Sequence, residues 1–204
     1  FRVRELAFTA DEARTLLVEN ERIPLDDDAV ELLVDRCEGW PAGLYLAALW
    51  LRELDEPSAR VREFHGDHRH VVDYLTTEVL DVLDGDVREF LLGSSVLGRF
   101  TADMCDAVLE RDDAVDKLAQ LERSNLFVVP LDAQRDWYRY HHLFEELLVL
   151  ELSSEDPNAP VALHRRACDW CIEHELIEDA LEHAAATGDD RLLANRNGLT
   201  DIEG

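Results

Sequence analysis

The chain has 204 residues, 47% of them hydrophobic, which is enough apolar mass for one large domain or two small ones and excludes a disordered segment. Its formal net charge is -26, from 46 acidic against 20 basic residues. Such a field opposes direct contact with nucleic-acid phosphates and with anionic membrane surfaces.

The pattern along the chain is helical from the start. Thr9 to Glu12 has the spacing of a capping box, in which a Thr hydroxyl and a Glu carboxylate satisfy each other's orphan amides; it opens a helix to about Asn20. Pro24 and the acids Asp26 to Asp28 open a second helix with Val30, Leu33, Val34 and Cys37 on one face, and Gly39 stops it. Pro41 then falls in the first turn of a third, almost wholly apolar helix, where its missing N–H costs nothing. Gly39-Trp40-Pro41 with Gly43 is more than a hinge requires, and suggests a backbone that something approaches closely. Pro57 and Ser58 mark a loop. Helices follow near 68–83, 86–97, 101–110 and 113–124.

The pattern then changes. "LFVVPLDAQRDWYRYHHLF" has β-branched and aromatic residues on both sides of a polar turn, Asp132 to Asp136, and reads as a hairpin. A hairpin that follows short helices and feeds another, Leu143 to Leu152, is the layout of a winged helix. "SSEDPNAP" reads as a linker, and helices over 160–174 and 176–187 form a hairpin of the kind that repeats in solenoids. The expected fold is all-α with one small β-hairpin. It comprises a helical bundle over 1–63, a connecting helix and winged-helix unit over 64–152, and the start of a TPR-like helical array over 153–204.

No apolar run reaches membrane-spanning length and no signal segment opens the chain. The four cysteines, Cys37, Cys105, Cys168 and Cys171, lie inside helical patterns and read as reduced thiols of a cytoplasmic protein. The chain opens on Phe1 in mid-pattern, as a piece of something larger would.

Chemistry is constrained first by what is missing. The sole lysine, Lys117, follows Asp116, so the chain holds no Walker motif, whose lysine must reach the phosphates. It also holds no nucleophile elbow and no metalloprotease helix, so no catalytic residue is assigned. Cys168-x-x-Cys171 with His174 has a zinc or redox reading. Both sulfurs share one helix, however, and no second ligand pair follows, which favours packing cysteines. His65, His68 and His70 fall in a polar stretch with no partner motif and read as solvated surface rather than a metal site. His141 stands where a strand gives way to a helix. It reads as a capping or core histidine, or as a phosphate donor aided by the helix terminus.

Several ordered motifs resemble one family. "EGWPAGLYLAALWL", the run Phe64 to Leu80, "FLLGSSVL", "MCDAVL", "LERSNLFVVPLD", "WYRYHHLF" and "LHRRACDW" are together similar to the MalT-type, ATP-dependent regulators of the LuxR group, within the STAND class of signal-transduction ATPases. The similarity runs from Arg4 to about Asp190. It implies a parent with a P-loop ATPase core, a helical lid, a winged helix, a helical-repeat sensor and a C-terminal helix-turn-helix. This chain would supply the lid, the winged helix and the first sensor hairpin of a transcription activator.

By the same resemblance, Gly39, Trp40 and Pro41 match the lid motif Gly-x-Pro, whose proline packs on adenine. His141 matches the Met-His-Asp histidine that contacts the β-phosphate of ADP, with His142 in place of the Asp. ATP or ADP would bind in the full-length parent and not in this chain alone. The expected partners are its own missing ATPase domain and helix-turn-helix, a small-molecule inducer at the sensor, and further copies when active. Neither DNA nor membrane is an expected partner of this segment. A helical protein-interaction adaptor built on the hairpin at 160–187, without nucleotide switching, is the alternative. A zinc-dependent enzyme is a more distant rival.

Overall fold

The computed structural model describes residues 7–124 and 127–188. Among these it shows eleven α-helices and one two-stranded antiparallel hairpin, the expected all-α class. The ends of the similar stretch near Arg4 and Asp190, and the part of 153–204 from 189 onward, lie outside the described residues.

The chain folds as two compact units. Among the described residues, the first gathers 7–84, 121–124, 127–128 and 140–147. Here α1 (Ala10–Arg14) starts on the expected capping box: Thr9 Oγ1 accepts from Glu12 N–H, and the Glu12 carboxylate accepts from Thr9 N–H at 2.9 Å. Those bonds hold the Glu12 carboxyl below its ordinary range. The turn that follows, Thr15–Asn20, is wider than the regular helix expected; it is π-helical, closed by Glu21 N–H onto the Leu16 carbonyl at 3.0 Å.

In the same unit α2 (Asp27–Cys37) begins on Asp26, whose side chain accepts from Ala29 N–H at 2.8 Å. Pro41 opens α3 (Pro41–Leu51) in its first turn as read. The loop expected at Pro57 and Ser58 is instead a short helix, α4 (Pro57–Arg60). Ser58 Oγ accepts from Asp26 N–H at 3.1 Å and donates to the Pro24 carbonyl, so this turn braces the start of α2. α5 (Arg69–Glu78) completes the first unit's own helices, and Leu17, Leu33, Leu44, Leu51, Phe64 and Leu75 form its fully buried centre.

The second unit gathers, among the described residues, 85–120, 129–139 and 148–188. It carries α6 (Gly85–Ser94), α7 (Ala102–Leu109) and most of α8 (Ala114–Arg123). The strands are β1 (Val128–Pro130) and β2 (Tyr138–Tyr140). Their turn is held by Asp132, which accepts from the amides of Asp136 and Trp137 at 3.1 and 2.9 Å. Phe100 adds a bridge to Tyr138.

The last helices are α9 (His142–Glu155), α10 (Ala159–Glu173) and α11 (Ile177–Ala186). The linker expected over "SSEDPNAP" is largely helix. Ser153 Oγ bonds back to the Val149 carbonyl at 2.8 Å, and Glu155 pairs with Arg88 at 2.5 Å, so only 156–158 separate α9 from α10. Arg99 ties the wing to the helical hairpin inside this unit. Its guanidinium lies 4.9 Å over the Trp137 ring and makes two bonds to Asp179, at 2.8 and 2.7 Å. α8, the hairpin and α9 each carry residues of both units.

Candidate functional site

The residues singled out in the sequence, Gly39, Trp40, Pro41 and His141, all belong to the first unit and meet at the end of α2. The helix stops through two successive left-handed residues, Glu38 at φ 48° and Gly39 at φ 69°. Gly39 is required twice. Its φ disfavours a side chain, and a Cβ there would sit 2.7 Å from the Phe8 carbonyl oxygen. The close approach expected at this joint is therefore made by the chain itself: Phe8 N–H donates to the Gly39 carbonyl at 2.7 Å.

Trp40 caps α3 in extended conformation and lays its indole back over Gly43, where a Cβ would fall 2.7 Å from the ring. The indole meets Phe127 at 5.2 Å and His141 at 5.9 Å edge-on, and Tyr74 at 5.9 Å. Pro41 beside it is half-buried.

His141 is 3% exposed. Its amide donates to the Phe127 carbonyl at 2.8 Å. Its Nε2 lies 2.8 Å from the Cys37 carbonyl oxygen, 104 positions earlier. A carbonyl can only accept, so Nε2 carries the proton. The same oxygen accepts from Trp40 N–H at 2.7 Å, which uses both lone pairs at the negative end of α2. Next to it the Glu38 carboxylate accepts from His142 N–H at 3.0 Å and lies 3.3 Å from His142 Nδ1. One turn further along α9, Glu146 accepts from Gly66 N–H; a Cβ at Gly66 would lie 2.2 Å from the Leu143 carbonyl oxygen.

Sequence reasoning missed Glu38, Gly66 and Glu146. Gly66 stood inside the quoted Phe64–Leu80 motif, but a lone Glu before a helix-ending Gly gives no sign that it too is left-handed.

The other candidates settle differently. His68 is half-buried rather than fully solvated. It packs 4.6 Å from Trp50 and 5.7 Å from Phe64, and burial, then His70, holds its pKa below the ordinary histidine value. His65 and His70 are half-buried as well. Cys168 and Cys171 are buried, and burial pushes the Cys171 thiol up to about 11, an inert packing sulfur. Among the described residues no group of three metal-ligating side chains occurs, and no helix is long and apolar enough to cross a membrane. A cleft of about 350 Å³ in the second unit is rimmed by Arg88, Arg111 and Arg166. Each is paired with the chain's own acids (Glu151 and Glu155, Asp86 and Asp113, Glu110), so its positive charge is already neutralised.

For a nucleotide the fit is uneven. Pro41 presents a partly open ring at a helix start, as a base contact needs. His141 would reach a phosphate through Nε2 only by leaving the Cys37 carbonyl, so those two contacts exclude one another.

Comparison with known proteins adds the following. Residues 76–160 match the family model of the MalT winged helix domain. The chain is 34% identical over 194 residues to the HTH-type transcriptional regulator MalT of Vibrio campbellii, covering 92% of this chain and 21% of that protein. It is 35% identical over 194 residues to MalT of Vibrio cholerae, covering 93% and 21%. It is also 32% identical over 184 residues to the serine/threonine-protein kinase PknK of Mycobacterium tuberculosis, covering 90% and 17%. The chain thus spans about a fifth of the length of the regulators it matches.

Proposed function

This chain is MalT-like and carries the MalT winged helix domain over residues 76–160, and on that premise we propose that it is the lid and latch of a nucleotide-switched transcription regulator. Residues 1–63 form the lid, 64–152 the connecting helix and winged helix, and 153–204 the first hairpin of a helical-repeat sensor. The full-length parent adds a P-loop ATPase core before the lid and a helix-turn-helix beyond the sensor. A small-molecule inducer at the sensor, together with ATP in place of ADP, favours an open form that self-associates.

One observation carries this reading. The proline joint and His141, far apart in sequence, meet in one unit through the bond from His141 Nε2 to the Cys37 carbonyl. Pro41 and Trp40 present the base-facing edge of the lid. His141 fastens the start of α9 to that lid, and has a second acceptor available if a phosphate comes within reach. Contacts that differ between two states are what a population shift requires. The winged helix acts as a latch and not as a DNA reader, since the charge of -26 opposes counterion release.

The match to a protein kinase favours a switch module that is indifferent to the output domain it serves. The test is ADP titration of the full-length parent beside Pro41→Ala. Weakened ADP binding with an unchanged melting temperature supports the lid. Unchanged binding removes Pro41 from the site and favours an adaptor without nucleotide switching.

A further inference from the structure

We propose that Glu38 is a positioning residue, whose carboxylate grips the first amide of α9 and so keeps the imidazole of His141 on the Cys37–Trp40 turn. The backbone gives the first reason. Glu38 sits at φ 48° and ψ 35°, a conformation that only glycine takes without cost. Gly39 follows it, so glycine was an accessible solution to this turn. Glu110 and Glu175 take a left-handed conformation too, so what marks Glu38 out must be a contact of its side chain.

The carboxylate supplies one. Its partner, His142 N–H, is among the amides a helix leaves without an internal acceptor at its start, where the aligned peptide dipoles also favour an anion. The Glu38 side chain is 19% exposed and that of His142 is 58% exposed. The amide bond is thus the sheltered half of the contact, and the imidazole Nδ1 the solvent-screened half.

Adjacency does the rest. Cys37 and Glu38 are neighbours, and so are His141 and His142. Two side-by-side bonds, His141 Nε2 to the Cys37 carbonyl and His142 N–H to Glu38, clip one pair onto the other. A single bond would leave the β2–α9 junction free to pivot about it; two fix its orientation and hold the imidazole in place. The Glu38 carboxylate acts on His141 through the amide of the next residue, His142, at the start of α9.

The test uses this chain with Glu38→Gln, which keeps an acceptor oxygen at similar reach, and Glu38→Gly, which relieves the left-handed backbone. The readouts are hydrogen exchange of the His142 amide and the Nε2–H proton signal of His141 in NMR spectra. The Gly variant should exchange about tenfold faster or more at His142, while the Gln variant stays within about threefold. The His141 signal should weaken in the Gly variant and survive in the Gln variant. A Gly variant with unchanged exchange, an unchanged His141 signal and a higher melting temperature overturns the proposal and leaves Glu38 as a helix end only.

The consequence for nucleotide rests on the switch reading above: in the full-length parent Glu38→Gly should release ADP more slowly, since an imidazole freed from the Cys37 carbonyl can donate to a phosphate. A changed His141 signal with unchanged ADP release upholds the clasp and sinks the switch. An unchanged signal sinks the clasp whatever ADP does.

Discussion

The Nε2 nitrogen of His141 donates to the carbonyl oxygen of Cys37 across 2.8 Å, joining the start of α9 to the end of α2. That oxygen is also the acceptor of Trp40 N–H, so the bond ties the wing's exit directly to the turn that sets Trp40 and Pro41. A buried histidine and a proline joint that could have been separate packing features become one assembly.

The joint's glycine can be checked by stability. Gly39→Ala places a Cβ against the Phe8 carbonyl in a left-handed backbone, and should cost about 1–3 kcal/mol. Gly85→Ala, where nothing lies within 4 Å of the added carbon, should be neutral or stabilising. Urea denaturation of the two variants beside the parent chain measures the contrast.

Acid should loosen the helical hairpin. His164 and His183 face each other from α10 and α11 with Nδ1 atoms 3.0 Å apart, and only one of the two can donate. Burial and the neighbouring imidazole push His164 down to about 4, and burial lowers His183 despite Asp179. A histidine whose folded pKa is lowered takes its proton more readily when unfolded. Stability is therefore full above the ordinary value near 6.5 and falls as pH drops from there toward 4. Melting temperatures at pH 7 and pH 5 should differ, and His164→Leu should flatten the difference.

Arg99 and Asp179 should couple. Arg99 is half exposed, so a double-mutant cycle with Arg99→Ala and Asp179→Ala should give only about 0.5–1 kcal/mol, shrinking in salt. A coupling that does not respond to salt would place the energy in packing on Trp137 instead.

This chain should show no sequence-specific DNA binding at physiological ionic strength. Its charge of -26 leaves little basic surface from which a winged helix could read a groove. Gel shifts against fragments of the parent's promoters test this, and a discrete specific complex would contradict it.

What the sequence made legible was local. The Thr9 capping box, the Asp26 cap, Pro41 in the first turn of α3 and the Asp132–Asp136 turn each obey rules that act over three or four residues. The failures were of two kinds. The serines of "SSEDPNAP" look like a linker but bond back into α9 or continue it, an option composition does not reveal. His68 on Trp50, Glu38 on His142 and His141 on Cys37 are tertiary partnerships, the last two spanning 104 positions. Motif similarity drew attention to His141 and to the joint that follows Cys37; only the fold could join them.

The most direct test of the switch is His141→Ala in the full-length parent, measured by reporter expression without inducer beside the melting temperature and ADP release of the purified protein. On this account Nε2 exchanges a neutral bond to the Cys37 carbonyl for a charge-assisted one to phosphate, a gain of about 1–1.5 kcal/mol, which moves a closed-to-open ratio about fivefold to tenfold. The account predicts inducer-free expression from a folded protein that releases ADP faster, with a smaller effect from His142→Ala. A silent variant with a lowered melting temperature and no gain in expression would contradict it and leave His141 as core packing.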